Sequence, residues 1–365
     1  NKILVQKDLA NTLKIIASKG RKGFYEGEIA EKISSEIKKN NGLISKSDLK
    51  NYSPVWREPL ISNYRDTEII TMGPPSSGGL HVIQMLNILE NYDLKKIGHN
   101  SLEYINLLTE VMKFAYADRS KYLGDPDFYD VPIKKIISKK YANDINKNIQ
   151  IGKLTPVNEI NPGKYMDGES HETTHFSVVD KTGNVISMTY TLNSTFGSKV
   201  VIEGTGILMN NEMDDFSAAP GIPNQFNLLG AEANEIAPFK RPLSSMTPTI
   251  VLKDKELFFT TGSPGGARII SAVLQSIVNI IDFNMNLEDT TAAKRIHHQW
   301  YPDILEYEFT LDNTIEKNLK KMGYKTESKL PLTCLQTIMF SDGMYYGYGD
   351  FRRVDALASG NINDW

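Results

Sequence analysis

Apolar residues recur at helical spacing through the first half of the chain and at strand spacing through much of the second. Leu9, Leu13, Ile15 and Ile16 follow Asp8, a capping residue, and end at Gly20, which predicts one helix. A second is predicted from about Glu28 through Ile33 and Ile37 to Asn40-Asn41-Gly42. Ser45-Lys46-Ser47-Asp48 has the form of a capping box opening a short helix. Residues 79–91 are so apolar that the helix expected there must be buried. Asn100-Ser101-Leu102-Glu103 caps another, which carries Tyr104, Leu107, Leu108, Val111 and Phe114. A polar segment with Pro and Gly, Asn158 to Ser170, is expected to be an exposed loop.

Near residue 170 the texture changes. His175–Asp180 and Val185–Leu192 are rich in β-branched residues and flank Lys181-Thr182-Gly183, the signature of a three-residue hairpin with Gly in the left-handed position. Further strands are predicted at Thr249–Val251, Leu257–Thr260, Thr337–Phe340 and Met344–Tyr348, with a buried helix over Ile269–Phe283. Apolar strands mixed with buried helices predict helices packed on antiparallel sheets.

Composition narrows the function only a little. The chain has 365 residues, 40% hydrophobic and 23% charged, with a net charge of −3, so no basic field points to nucleic acid or an anionic membrane. Its single cysteine, Cys334, excludes an intrachain disulfide and a cysteine metal cluster. No apolar run is long enough to span a membrane.

The chemistry concentrates at residues 171–175, His-Glu-Thr-Thr-His. As H-E-x-x-H this is the zinc-protease pattern, which needs a helix to bring both imidazoles to one metal. The flanks argue against a helix: Met166–Ser170 is loop chemistry, and a β-branched run follows. Along a strand the two histidines would stand roughly 13 Å apart, too far to share one zinc. The second reading makes Glu172–Thr173 a self-cleavage site that frees Thr173 as an N-terminal nucleophile. Hairpin register then sets Thr173 opposite Thr191, with Asn193 diagonal on the same face. A free α-amine, with a pKa near about 8, would serve Thr173 as its own base. On the hairpin alone, a threonine-rich strand with cross-strand hydroxyl pairs, common in sheets, is the more ordinary reading.

Other segments accompany this pair: GPPSSGG at Gly73–Gly79, YADRSKYLGDPDF at Tyr116–Phe128, TTHFSVVD at Thr173–Asp180 and YTLNSTFG at Tyr190–Gly197. Asn210–Ser217 (NNEMDDFS), RPLSSMTPTI from Arg241, TGSPGG at Thr261–Gly266 and HHQW at His297–Trp300 complete the series. In these motifs, and in their order along essentially the whole chain, the sequence resembles the γ-glutamyltranspeptidase family, N-terminal nucleophile enzymes that cut themselves before a threonine. The resemblance implies an α+β fold, a four-layer αββα sandwich with two antiparallel sheets flanked by helices. It implies that residues 1–172 are the C-terminal part of a large, mostly helical subunit and 173–365 a small, strand-rich catalytic subunit. The two would form a heterodimer after cleavage.

Roles follow by resemblance. Thr173 is the nucleophile, and Thr191 its activating neighbour. Asn193, Glu212 and Asp215 take the α-ammonium of the γ-glutamyl group, and Ser244 and Ser245 donate to its α-carboxylate. The N–H groups around Gly265 and Gly266 face the developing oxyanion. By residue type alone, NNEMDDFS is a solvated turn, the serine pair a cap and the glycines a tight turn. Phe226 stands in the segment that resembles a lid, where an aromatic hydroxyl is common; it has none, so closure there would rest on packing. The family extends upstream of Asn1, where a further arginine for the carboxylate is implied. Expected substrates are glutathione and other γ-glutamyl compounds, with water, amino acids or peptides as acceptors. No metal or organic cofactor is implied, His297 and His298 are expected to be structural, and the implied location is periplasmic or secreted. The alternatives are a related acylase acting on glutaryl side chains of β-lactams, against which Asp215 argues because a glutaryl group has no α-amine, and an uncleaved, non-catalytic relative.

Overall fold

The computed structural model describes residues 3–160, 173–217, 219, 222, 224–225, 227–331 and 333–360. The chain divides into two compact units, Asn1–Arg57 with Leu192–Asn211, and Glu58–Thr191 with Glu212–Trp365. The boundary predicted at 172/173 is one of covalent chain, whereas these units are defined by packing, and each draws residues from both sides of it.

The smaller unit holds helices Lys7–Lys19, Arg21–Tyr25, Gly27–Lys39 and Lys46–Asn51 and the short hairpin of Val201–Ile202 with Ile207–Leu208. Ile29, Ile33 and Ile202 form its buried centre. Gly20 (φ 57°) ends the first helix as its position predicts. Asp8 is not the cap; it lies in the first turn, where the helix dipole still favours a carboxylate. The capping box is present, with Ser45 N–H donating to Asp48 Oδ2 at 2.7 Å and Asp48 N–H to Ser45 Oγ at 3.3 Å.

The larger unit contains strands β1 (Leu60–Tyr64), β2 (Thr67–Thr71), β3 (Thr174–Val179), β4 (Val185–Tyr190), β5 (Thr249–Lys253), β6 (Glu256–Gly262), β7 (Gln336–Ser341) and β8 (Met344–Gly349). Its long helices are α1 (Gly78–Leu89), α2 (Leu102–Tyr122) and α3 (Arg268–Ile281). Six strands form one antiparallel sheet in the order β1-β2-β5-β6-β7-β8, and β3 and β4 form a separate hairpin. Strand β6 separates the layers. Its Thr261 hydroxyl meets Ser276 of α3 at 3.4 Å, while the backbone of Gly262, the next residue, lies against the His175 ring of β3. Side chains on a strand alternate, so helix and hairpin pack on opposite faces of the sheet. Every residue of α1 is buried, consistent with its apolar character on all sides. The result is an α+β sandwich of stacked antiparallel sheets and packed helices, the class the sequence predicts. The outward face of the hairpin carries Phe176, Val178, Ile186, Met188 and Tyr190, all exposed.

Several elements have no counterpart in the sequence reading. Strands β1 and β2 lie in the half read as helical, and they owe their place to pairing of β2 with β5 across the chain. A three-stranded sheet of Thr326–Lys329, Leu305–Glu308 and Ile296–His297, and a helix over Asn313–Met322, are likewise set by non-local packing.

Candidate active site

The hairpin sets the frame of the site. Asp180 Oδ1 accepts from the N–H groups of Thr182 (2.8 Å) and Asn184 (2.9 Å), and Gly183 sits at φ 85°, so the turn is a fixed three-residue loop. Hydrogen bonds from the side chains of Asn184 and Thr182 hold the Asp180 carboxyl well below its usual range. From this turn the ladder runs to Thr174 opposite Tyr190. One step further lie Thr173 and Thr191, and the Thr173 hydroxyl donates to Thr191 Oγ1 at 3.4 Å. Thr173 is only 8% exposed. The pairing predicted from loop length is therefore the pairing found.

Asn193 does not continue that ladder. Strand β4 ends at Tyr190, and Asn193 adopts φ 75°, a left-handed conformation that takes it out of strand register. The expected diagonal position on the strand face is corrected accordingly. Asn193 is buried, and its amide donates to the Asn211 carbonyl at 3.2 Å within the smaller unit.

On the inward face of β3, His175 fills the space beside Gly262. A Cβ built at Gly262 would stand 2.1 Å from His175 Cε1 and 2.3 Å from Nδ1. The ring is buried, hydrogen-bonded to Thr189 Oγ1 (2.8 Å) and Ser177 Oγ (3.2 Å), and burial lowers its pKa to about 4. It is a neutral spacer between β3 and the end of β6. Both ring nitrogens engage hydroxyls of the strands, which the zinc reading does not accommodate; His171 lies outside the described residues.

From Gly262 the chain enters Ser263-Pro264-Gly265-Gly266 and then α3. Gly265 (φ 137°) and Gly266 (φ 56°) are both buried and occupy backbone regions that side chains disfavour, so the loop requires glycine there. The Ser263 hydroxyl accepts from Cys334 N–H at 3.0 Å and donates to the Pro264 carbonyl at 2.7 Å, which pins the loop's entry.

Glu212 and Asp215 lie on one turn of 3₁₀ helix, Glu212–Asp215, with their side chains hydrogen-bonded to each other. Burial pushes the Glu212 carboxyl up to about 7, against the lowering effect of that bond. This turn is tied to the serine pair by Asn234, which the sequence reading missed. Its amide donates to the Asp215 carbonyl at 2.7 Å, and its Oδ1 accepts from Leu243 N–H at 3.0 Å, one residue before Ser244. Ser244 is held in turn by the loop before α1: Ser244 N–H donates to the Pro75 carbonyl, and Ser77 N–H and Oγ both donate to the Ser244 carbonyl. Behind the serines lies Arg119 of α2, 3% exposed, donating from Nε to Ser77 Oγ (2.9 Å) and from Nη2 to Ser245 Oγ (3.2 Å). Burial lowers its pKa to about 10, and the charge of Asp215 reaches it. In the sequence Arg119 stands within the Tyr116–Phe128 motif, and nothing there sets it apart from the other charged residues of α2.

Glu172 and Phe226 lie outside the described residues. His297 and His298 are buried and hold protein partners, Ser271 and Gln299 for the first and Asp303 for the second, as expected of structural histidines.

The family model described as gamma-glutamyltranspeptidase matches residues 1–360. The chain is 51% identical to the glutathione hydrolase proenzyme of Escherichia coli (strain K12), over 98% of this chain and 62% of that protein. It is 39% identical to the acylase ACY 1 proenzyme of Pseudomonas sp. (strain SE83), over 88% of this chain and 55% of that one. Among solved structures, a cephalosporin acylase from Bacillus halodurans superposes with a TM-score of 0.83 at 27% identity, covering 96% of this chain and 62% of the other. The chain thus spans about three-fifths of the length of these relatives. With motifs, hairpin register and fold in agreement, the chain belongs to the γ-glutamyltranspeptidase family.

Proposed function

We propose that the protein is a self-processing γ-glutamyltransferase and glutathione hydrolase. The observation that carries this reading is the approach of the Thr173 and Thr191 hydroxyls at the head of the hairpin. The glutathione hydrolase proenzyme relative supports it. In processing, Thr173 Oγ1 attacks the Glu172 carbonyl carbon, the peptide C–N bond breaks and an ester forms. Water then cleaves the ester, leaving Thr173 with a free α-amine and hydroxyl. Residues 1–172 and 173–365 then belong to separate subunits.

In turnover the α-amine takes the proton from Thr173 Oγ1, which attacks the γ-amide carbonyl of glutathione. Thr191 orients the attacking hydroxyl. N–H groups of the Gly265-Gly266 loop stabilise the oxyanion. The C–N bond breaks, cysteinylglycine leaves with the proton, and a γ-glutamyl ester remains on Thr173. Water, or the amine of an amino acid or peptide, takes the acyl group. Asn193, Glu212 and Asp215 hold the substrate ammonium, and Ser244 and Ser245 its carboxylate. The residues named need no metal or organic cofactor for these steps. A periplasmic or secreted location accompanies this reading; no helix among the described residues is long and apolar enough to cross a membrane.

The acylase relatives favour a second reading, cleavage of a β-lactam side-chain amide by the same nucleophile. The carboxylate pair opposes it, because a glutaryl group brings no ammonium to meet Glu212 and Asp215. The test is Thr173→Ala, with fragment masses and release from a γ-glutamyl anilide as readouts. An uncut chain with activity below about one-thousandth of wild type is expected. Substantial hydrolysis by the variant refutes the mechanism, and a preference for glutaryl over γ-glutamyl anilide in wild type favours the acylase.

A further inference from the structure

Both hydroxyl oxygens of the serine pair act as acceptors within the protein. Ser244 Oγ accepts from Met246 N–H at 3.1 Å, and Ser245 Oγ accepts from Arg119 Nη2 at 3.2 Å. A hydroxyl oxygen that receives an N–H keeps its own proton for another partner. Two such hydroxyls on consecutive residues suit the two oxygens of a carboxylate.

Arg119 is unusual in what it does not touch. A guanidinium that is 3% exposed ordinarily sits against a carboxylate, because an isolated buried charge is costly. Here its hydrogen bonds among the described residues go to two neutral hydroxyls, Ser77 and Ser245. Ser77 relays the contact, since its Oγ donates to the Ser244 carbonyl at 2.8 Å. One buried cation therefore orders both serines, Ser245 through its hydroxyl and Ser244 through its backbone. Its charge lies within hydrogen-bond distance of the Ser245 hydroxyl.

We propose that Arg119 is the positioning residue of the carboxylate subsite: it aims the Ser245 hydroxyl, fixes Ser244 through Ser77, and biases the site toward donors that carry a free α-carboxylate. The substrate carboxylate, held by the serines, adds an anion next to a cation that hydrogen-bonds no carboxylate among the described residues. The inference rests on the γ-glutamyl reading of the site, and it adds a specificity determinant lying one layer behind the serines.

The experiment compares Arg119→Lys and Arg119→Gln with wild type, on the full processed protein, using two anilides. One carries a γ-glutamyl group; the other carries a 4-aminobutyryl group, which keeps the amine and the amide and lacks the α-carboxylate. If turnover of the second is below detection, its inhibition constant against the first replaces kcat/KM. Wild type should prefer the γ-glutamyl compound. The Arg119 variants should lose about 10- to 100-fold on that compound, chiefly in KM, and less than about threefold on the other. Equal losses on both compounds show a merely structural role and overturn the proposal. Ser77→Ala keeps the cation and removes the relay, and it should show the same selective loss on a smaller scale. It carries the test where the Arg119 variants fail to fold or process, and a Ser77→Ala enzyme with unchanged discrimination then overturns the proposal. A wild type that shows no preference between the two compounds instead defeats the γ-glutamyl reading itself.

Discussion

Gly262→Ala probes the contact between His175 of β3 and the end of β6, where the Gly265-Gly266 loop begins. The added Cβ would lie 2.1, 2.3 and 2.5 Å from Cε1, Nδ1 and Nε2 of His175, where ordinary contact is well over 3 Å. The imidazole must therefore move by about an ångström or more. It has little freedom to do so, being 5% exposed and bonded to Thr189 and Ser177 on its own hairpin. Overpacking of this kind costs about 1–3 kcal/mol, and weakening two hydrogen bonds adds about 1 kcal/mol each. A total of about 3–5 kcal/mol is expected, read as a lower denaturant midpoint at unchanged slope. Because His175 is two residues from Thr173 on the same strand face, the shift should also reach the nucleophile, where a misplacement of about 1 Å can cost about a hundredfold in rate. The control is His175→Ala, which empties the space. In that background Gly262→Ala should cost under about 1 kcal/mol, giving strong coupling between the two sites. An equal cost in both backgrounds, or a wild-type midpoint for the single variant, would refute this account of the contact.

Other expectations follow from the same structure. Burial raises the Glu212 carboxyl to about 7, so an ammonium that needs its ionised form should bind less well as pH falls below 7. KM for a γ-glutamyl anilide should rise there, Glu212→Gln should flatten that rise, and an unchanged KM profile in the variant counts against the assigned role. Glu110 and Lys113 form an ion pair with both side chains fully buried, supported by the Tyr324 hydroxyl at 2.5 Å and Thr155 N–H at 3.0 Å. Lys113→Met leaves the Glu110 charge uncompensated and should cost about 3–5 kcal/mol in a denaturant melt; a loss below about 1 kcal/mol contradicts that estimate.

The sequence determined what depends on local chemistry. A loop of fixed length with Gly at Gly183 sets the register of β3 and β4, so loop length alone pairs Thr173 with Thr191. Capping at Ser45 and Ser101, and the run of apolar residues in α1, fixed helices whose signals lie within a few residues of one another. Side-chain partners across long separations were decided only by tertiary packing. Strands β1 and β2 depend on β5, and Asn193 leaves the ladder through a backbone torsion that no pattern of residues predicts. Arg119 reaches Ser245 across 126 residues, and His175 meets Gly262 because the hairpin stacks on the sheet. Composition and spacing cannot encode such meetings, since a residue's burial and its partner are properties of the assembled layers. The sequence thus paired Thr173 with Thr191, and the fold supplied the buried residues that hold them in place.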